Sequence, residues 1–175
     1  MTSEIRSIFM HDRLGRRQFK EVLGSLLAGL IIRPEPLWLV SPWISDFDLL
    51  DNHSGEWSVL RPHWELRVIR FSEVLAACVE SGCELKVVTR DEKRTRAFLH
   101  RLAEHIDSTG KFQKGTSEEL HVKGLISNSW YLSGSMNFTF SGAHRNHEQI
   151  LLHRDPDLIV DTRLEFEHCY SLELS

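Results

Sequence analysis

The chain has 175 residues, 41% of them hydrophobic and 26% charged, with 10 Gly and 5 Pro, a composition that suits one folded domain and excludes disordered and fibrous classes. Its net charge of -4 supplies no global positive field, so contact with a polyanion has to come from a local patch. The longest apolar run, residues 22–32, falls far short of the ~20 residues that span a bilayer. No A-x-A site follows it, which favours a mature cytoplasmic protein.

Residues 1–36 are read as an N-terminal helical segment. Within it Phe19, Val22, Leu23, Leu26, Leu27, Leu30 and Ile31 recur at three- and four-residue steps, predicting a helix over 16–32 with one apolar face, ended by Arg33-Pro34. Leu37-Trp38-Leu39-Val40, bounded by Pro36 and Pro42, suits a strand buried on both faces. Residues 46–70 carry Asp46, Asp48, Asp51, Gly55, Pro62 and three Arg around Trp57 and Trp64 without a clear period, and are expected to form a long loop near the site. Ser72 can cap a helix that Gly82 closes, and Leu85-Lys86-Val87-Val88 follows as a strand. Asp91 is a candidate cap for a helix bearing Phe98, Leu99, Leu102 and Ile106 on one side.

After a Gly/Lys/Ser loop, the alternation over 120–126 and the pair Trp130-Tyr131 predict two strands joined by a turn at Asn128-Ser129. Residues 149–153 form another strand, and a final helix follows Pro156. Helices and strands therefore alternate, which predicts a layered α/β domain with helices covering a mixed sheet. Cys78, Cys83 and Cys169 cannot all pair and form no C-x-x-C, so they are expected to be buried thiols.

The chemistry concentrates in three short stretches. His121 and Lys123 lie two apart on the expected strand, so both side chains share a face while Val122 points into the core. Gly134-Ser135 offers a turn whose N–H groups and hydroxyl can meet anionic oxygens, and Asn137 adds an amide donor. Glu148 is expected to accept a hydrogen bond from the His121 Nδ1–H, leaving Nε2 free to attack. His144, His147, His153 and His168 follow no metal-ligand spacing and are read as solvated or core residues.

Residues 86–123 hold nine Lys/Arg against six Asp/Glu, an excess consistent with a weak basic lip over the site. Arg61, Arg67 and Arg70, with Lys111 and Lys114 on a loop before His121, either contact phosphates or form a solvated charged face. Trp57 and Trp64 either stack on bases or anchor the long loop. Gly134, Trp43, Arg61 and Lys114 are the candidate substrate-binding residues.

H-x-K at 121–123, G-S-x-N-F-T at 134–139 and N-x-E at 146–148 together resemble the signature of the phospholipase D superfamily. The resemblance covers residues 120–152 closely, and 38–43 also resembles that family's first strand. It implies a single α-β-α sandwich domain over 1–175 and metal-independent phosphodiester chemistry through a phosphohistidine on His121. Lys123, Ser135 and Asn137 would hold phosphate oxygens, Glu148 would orient His121, and no metal or cofactor is implied.

The family needs two such motifs per active site. This chain has one, so the resemblance implies a homodimer whose shared site straddles a two-fold axis. The small single-motif endonucleases of the family imply nucleic acid, foremost DNA, as substrate. The alternative is a DNA- or partner-binding module with little turnover. One departure stands out: Asn128 occupies the position of the family's usual Asp, keeping its turn preference but not its charge, and the spacing to Gly134 is one residue shorter. The chain as a whole further resembles the phospholipase-D-like component of Dpd-type clusters, which insert 7-deazaguanine bases into bacterial DNA and restrict unmodified DNA. That resemblance implies partners among the cluster's other proteins. With one motif, no membrane span and no long amphipathic basic helix, a lipid surface ranks lowest as a partner.

Overall fold

In the computed structural model, which describes residues 5–106 and 111–174, the chain opens with strand β1 (Ile5–Phe9). Asp12 then caps helix α1 (Arg13–Ile32), its carboxylate accepting the Gly15 N–H at 2.8 Å. The helical segment expected over residues 1–36 thus shrinks to 13–32 among the described residues. The preceding residues pair as an edge strand that buries only Ile8. Strand β2 (Leu37–Val40) is buried at all four positions, as its unbroken apolar run requires.

The long loop expected over 46–70 is instead an antiparallel pair, β3 (Asp48–Asp51) and β4 (Val68–Arg70), joined through a 3-10 turn at Glu56–Val59. Its organiser is a buried polar residue, which hydrophobic patterning cannot reveal. The Asn52 amide donates to Glu65 O at 3.0 Å and Ser58 Oγ at 3.1 Å, and accepts the Trp57 N–H at 2.8 Å. Trp64 is buried and anchors this segment to the core.

Helix α2 (Phe71–Ser81) is not capped by Ser72. The cap comes from Asp46, which accepts the Ser72 N–H at 3.0 Å and its hydroxyl at 2.8 Å, while Gly82, at φ 123°, closes the helix as expected. Strand β5 (Leu85–Thr89) leads to α3 (Lys93–Glu104), which buries Phe98 and Leu102. Asp91 does not cap it but pairs with Arg96 at 2.6 Å. A strand absent from the sequence reading, β6 (Phe112–Thr116), precedes β7 (Gly124–Ile126) and β8 (Tyr131–Gly134). Short helix α4 (Phe140–His144), β9 (Gln149–His153), α5 (Pro156–Cys169) and β10 (Glu173–Leu174) complete the described chain.

The eight-stranded sheet runs β1-β9-β8-β7-β2-β5-β6-β10, with β2, β5 and β6 parallel and the other pairings antiparallel. Side-chain alternation divides the core between its two faces. Leu37, Leu39 and Val87 pack beneath α1, α2 and α3 with Phe19, Leu23, Leu27, Phe71 and Phe98. Trp38, Val40 and Val88 pack on α5 through Ile159 and Phe166. Each such burial is worth roughly 1.5–3 kcal/mol, so the expected α-β-α sandwich with a mixed sheet holds together from both sides. Cys78 and Cys83 are buried, but Cys169, at the end of α5, is exposed, contrary to expectation. No described helix is long and apolar enough to cross a membrane.

Candidate active site

The strand directions bring the carboxyl ends of β2, β5, β6 and β8 and the amino ends of β7 and β9 to one end of the sheet. Open α/β sheets bind ligands at the carboxyl ends of their parallel strands. Ser41 and Trp43 follow β2, Arg90 follows β5, His121 and Lys123 precede β7, Ser135 and Asn137 follow β8, and Glu148 precedes β9. All five residues expected to be catalytic therefore gather at that end.

The limb carrying His121 departs from expectation. Pairing of β7 with β8 starts only at Gly124, opposite Ser133, where the Tyr131 ring packs so closely that a Cβ on Gly124 would stand 2.6 Å from it. Residues 121–123 are therefore not a strand, and Val122 is 41% exposed instead of in the core. The Lys123 ammonium folds back to donate to His121 O at 2.8 Å. Arg90 reaches over from β5: its Nε donates to Leu120 O at 3.0 Å, and a terminal nitrogen lies 3.1 Å from His121 Nε2. A guanidinium only donates, so Nε2 accepts in this contact and Nδ1 carries the proton. The same guanidinium lies 5.7 Å from the ring of Trp43, within cation-π reach.

The limb carrying Ser135 is built around Gly134, at φ 149°, where a Cβ would stand 2.1 Å from Gln149 O. Ser135 N donates to Gln149 O at 3.0 Å, and Gln149 N donates to Ser135 Oγ at 3.1 Å. The Ser135 hydroxyl donates to Glu148, whose other oxygen accepts from the Asn146 amide at 3.1 Å. Glu148 is thus held by Ser135 and Asn146 and not by His121. The reason is sheet order: β8 lies between β9 and β7, so Glu148 and His121 leave the sheet two strand spacings apart, about 10 Å. Asn137 Oδ1 lies 3.4 Å from Ser41 Oγ, whose hydroxyl has its shorter bond to Trp43 O at 3.0 Å.

The four substrate-binding candidates separate. Gly134 and Trp43 lie at the site end, Trp43 being 45% exposed. Lys114 belongs to β6, not a loop, and shares a cleft of about 400 Å³ with Arg90, Arg96 and Thr116. Arg61 does not reach the site. It braces α2, donating to Ala77 O at 2.5 Å and Ser81 Oγ at 2.7 Å near the opposite end of the sheet. Asn128 is also at that far end, where its N–H donates to Glu35 at 3.1 Å.

Of the histidines, His153 is buried, with Nε2 2.9 Å from Ser133 Oγ, and burial lowers its pKa against a smaller pull from Asp155. His144 is lowered by burial and then by the neighbouring Lys20. No group of three His, Cys, Asp or Glu side chains that could hold a metal ion occurs among the described residues. Sequence reasoning missed Arg90 and Ser41. Their signal was positional: each is the first residue beyond a parallel strand's carboxyl end.

The family model for the cardiolipin synthase, PLD-like domain matches residues 59–170. The chain belongs to this phospholipase-D-like family. Its fold is similar to that of Nuc from Salmonella typhimurium, a phospholipase D family member, with a TM-score of 0.61, 14% identity and 99% of each chain covered. It is similar as well to NucT from Helicobacter pylori, with a TM-score of 0.62, 12% identity and 95% of this chain and 94% of that one covered. An archaeal chromatin protein with a novel mode of DNA binding matches with a TM-score of 0.54 and 9% identity, over 99% of this chain and 54% of that one. At these identities the likeness is one of fold. No protein of curated description matches the sequence.

Proposed function

We propose that the protein is a metal-independent phosphodiesterase that cleaves DNA, with His121 as nucleophile in a site shared by two copies of the chain. The observation that carries this reading is the gathering of His121, Lys123, Ser135 and Asn137 at one end of the sheet in a chain of the phospholipase-D-like family.

His121 Nε2 attacks phosphorus, a P–N bond forms, and the P–O bond to the leaving strand breaks. The second copy's His121 gives that oxygen its proton. Water then attacks the phosphorus, forming a P–O bond as the P–N bond breaks, while the second copy's imidazole takes the water's proton, so both rings return to their starting states. Lys123, Ser135 and the Asn137 amide hold the non-bridging oxygens. Glu148 acts through Ser135, fixing the hydroxyl's direction. Arg90, which caps Nε2 in the free site, transfers its donors to the incoming phosphate and uncovers the lone pair. The resemblance to Dpd-type clusters supports restriction of unmodified DNA, in the cytoplasm and in company with that cluster's proteins, as the setting.

The test is hydrolysis of bis(p-nitrophenyl) phosphate and of DNA by wild-type protein and by His121→Ala, with and without EDTA, alongside a mass measurement in solution. A dimer that loses activity on His121→Ala and ignores EDTA is expected. Activity that survives the substitution, or that EDTA removes, overturns the mechanism.

A second reading, a DNA-binding module with little turnover, is favoured by the DNA-binding chromatin protein of similar fold and by the capping of Nε2 by Arg90. Tight DNA binding without cleavage or labelled phosphohistidine would establish it.

A further inference from the structure

Away from the site end of the sheet, a cleft of about 840 Å³ forms a trough beside α1, walled by Leu49, Leu50 and Trp57 and by His144 of α4. Arg13, Arg16, Arg17 and Lys20 all line it. Their spacing of i, i+3, i+4 and i+7 puts four cations in one stripe along the helix. The chain's net charge is -4, so this stripe is a local patch and not a sample of the whole surface.

The cations are only partly neutralised. Glu21, Asp51 and Glu56 also line the trough, but Arg17 pairs with Glu21 at 2.7 Å and Asp51 is engaged by His53 at 2.7 Å. Among the described residues, Arg13, Arg16 and Lys20 have no carboxylate at ion-pair distance. Lys20 instead lies 2.8 Å from His144 Nε2, with Asp48 acting on it from further off. Arg16 donates to Arg145 O at 3.0 Å, while its Nε is buried without a partner. Cations crowded against neutral acceptors are what an incoming anion relieves.

The helix that lines the trough begins beside the candidate site. The residue after β1, Met10, donates its N–H to Glu148 O at 2.8 Å, so α1 starts beside Glu148. Helix α4 starts at Phe140, three residues beyond Asn137. From residue 13 to residue 20 the helix rises about 10 Å, about three intervals of ~3.4 Å along the axis, and so spans about four successive phosphates of one strand. Trp57 on the facing wall offers a ring to a base.

We propose that this trough is the track for the DNA strand leading away from the scissile bond, with Arg13, Arg16, Arg17 and Lys20 on successive backbone phosphates. The inference rests on the reading of DNA as substrate and names the surface that holds it.

The test uses the full chain with His121→Ala, so that DNA stays intact, and a fluorescein-labelled single strand of about 20 nucleotides, read by anisotropy from roughly 50 to 200 mM NaCl. Adding Arg13→Ala and Arg17→Ala, both exposed positions, should weaken binding tenfold or more at low salt. The slope of log K against log salt should shrink by about 1.4, two contacts at ~0.7 each. The corresponding double Lys variant should restore most of the slope. Arg94→Ala with Arg101→Ala, on the exposed surface of α3, should change it little. An unchanged slope after the α1 substitutions, an equal loss from the α3 pair, or no DNA binding by the parent overturns the track. Hydrolysis of bis(p-nitrophenyl) phosphate by wild-type protein judges the phosphodiesterase reading separately, because that small diester does not need the trough.

Discussion

The limb that carries Ser135 and Asn137 is enclosed by its neighbours, whereas the limb that carries His121 stands almost free. In the first, Met136 and Phe138 are buried, the wholly buried Ser41 receives the Phe138 N–H, and Thr139 caps α4 by accepting the Gly142 N–H at 3.1 Å. In the second, His121 and Val122 are exposed, and Arg90 and Lys123 supply the polar ties. The difference has a chemical sense. Donors fixed in advance need no rearrangement when charge builds on phosphate oxygens, while a nucleophile has to exchange Arg90 for phosphorus.

Substitutions can break that contrast, and the largest effect falls on the free limb. His121→Ala should lower diester hydrolysis by about 10³-fold or more yet move stability by less than about 0.5 kcal/mol. Turnover and chemical denaturation of the same preparation measure both. On the enclosed limb the pattern reverses: Phe138→Ala should cost about 3–5 kcal/mol of stability, against less than about 0.5 kcal/mol for Val122→Ala. Equal denaturation midpoints for these two variants would erase the contrast. Arg90→Ala should reduce hydrolysis by about 10- to 100-fold. In ¹⁵N spectra it should also loosen the Nδ1–H tautomer of His121, with partial rescue by Arg90→Lys.

Acid should sharpen the comparison from the side of the enclosed limb. Burial holds the pKa values of His144 and His153 below their usual 6.5, so the unfolded chain takes up protons more readily than the folded one. Stability from these residues is complete above pH 6.5 and falls as pH drops below it. Glu73 acts later. Burial raises its pKa, but the Arg67 guanidinium and the Arg70 N–H lower it further, for a net fall from 4.5, so its contribution disappears only below that value. Thermal denaturation at stepped pH should therefore show a first decline just under 6.5, and a flat profile down to pH 5 would contradict it. The smallest effect belongs to Asn128→Asp: with that turn at the far end of the sheet, hydrolysis should change less than about threefold.

Elements whose residues bury themselves by a simple period were legible in advance: α1, β2, β5, β9 and α5. The β3-β4 pair was not, because Asn52 holds it together with hydrogen bonds that carry no periodic mark. Strand β6 was hidden for another reason: Gln113 and Lys114 sit in it because β5 and β10 supply partners on both sides. In the site, the residue types were legible and their pairings were not. His121 and Glu148 look like partners along the chain, but β8 separates them in space, and Arg90, thirty-one positions away, takes the place beside the imidazole.

By itself, the order of residues determined the alternation of helix and strand, the doubly buried β2 and the types of donor available for a phosphate, since local burial and short motifs are written in neighbouring positions. Only the tertiary structure decided which donors meet. That depends on strand order and register, which set Glu148 on Ser135, Arg90 on His121 and a row of cations along an open trough.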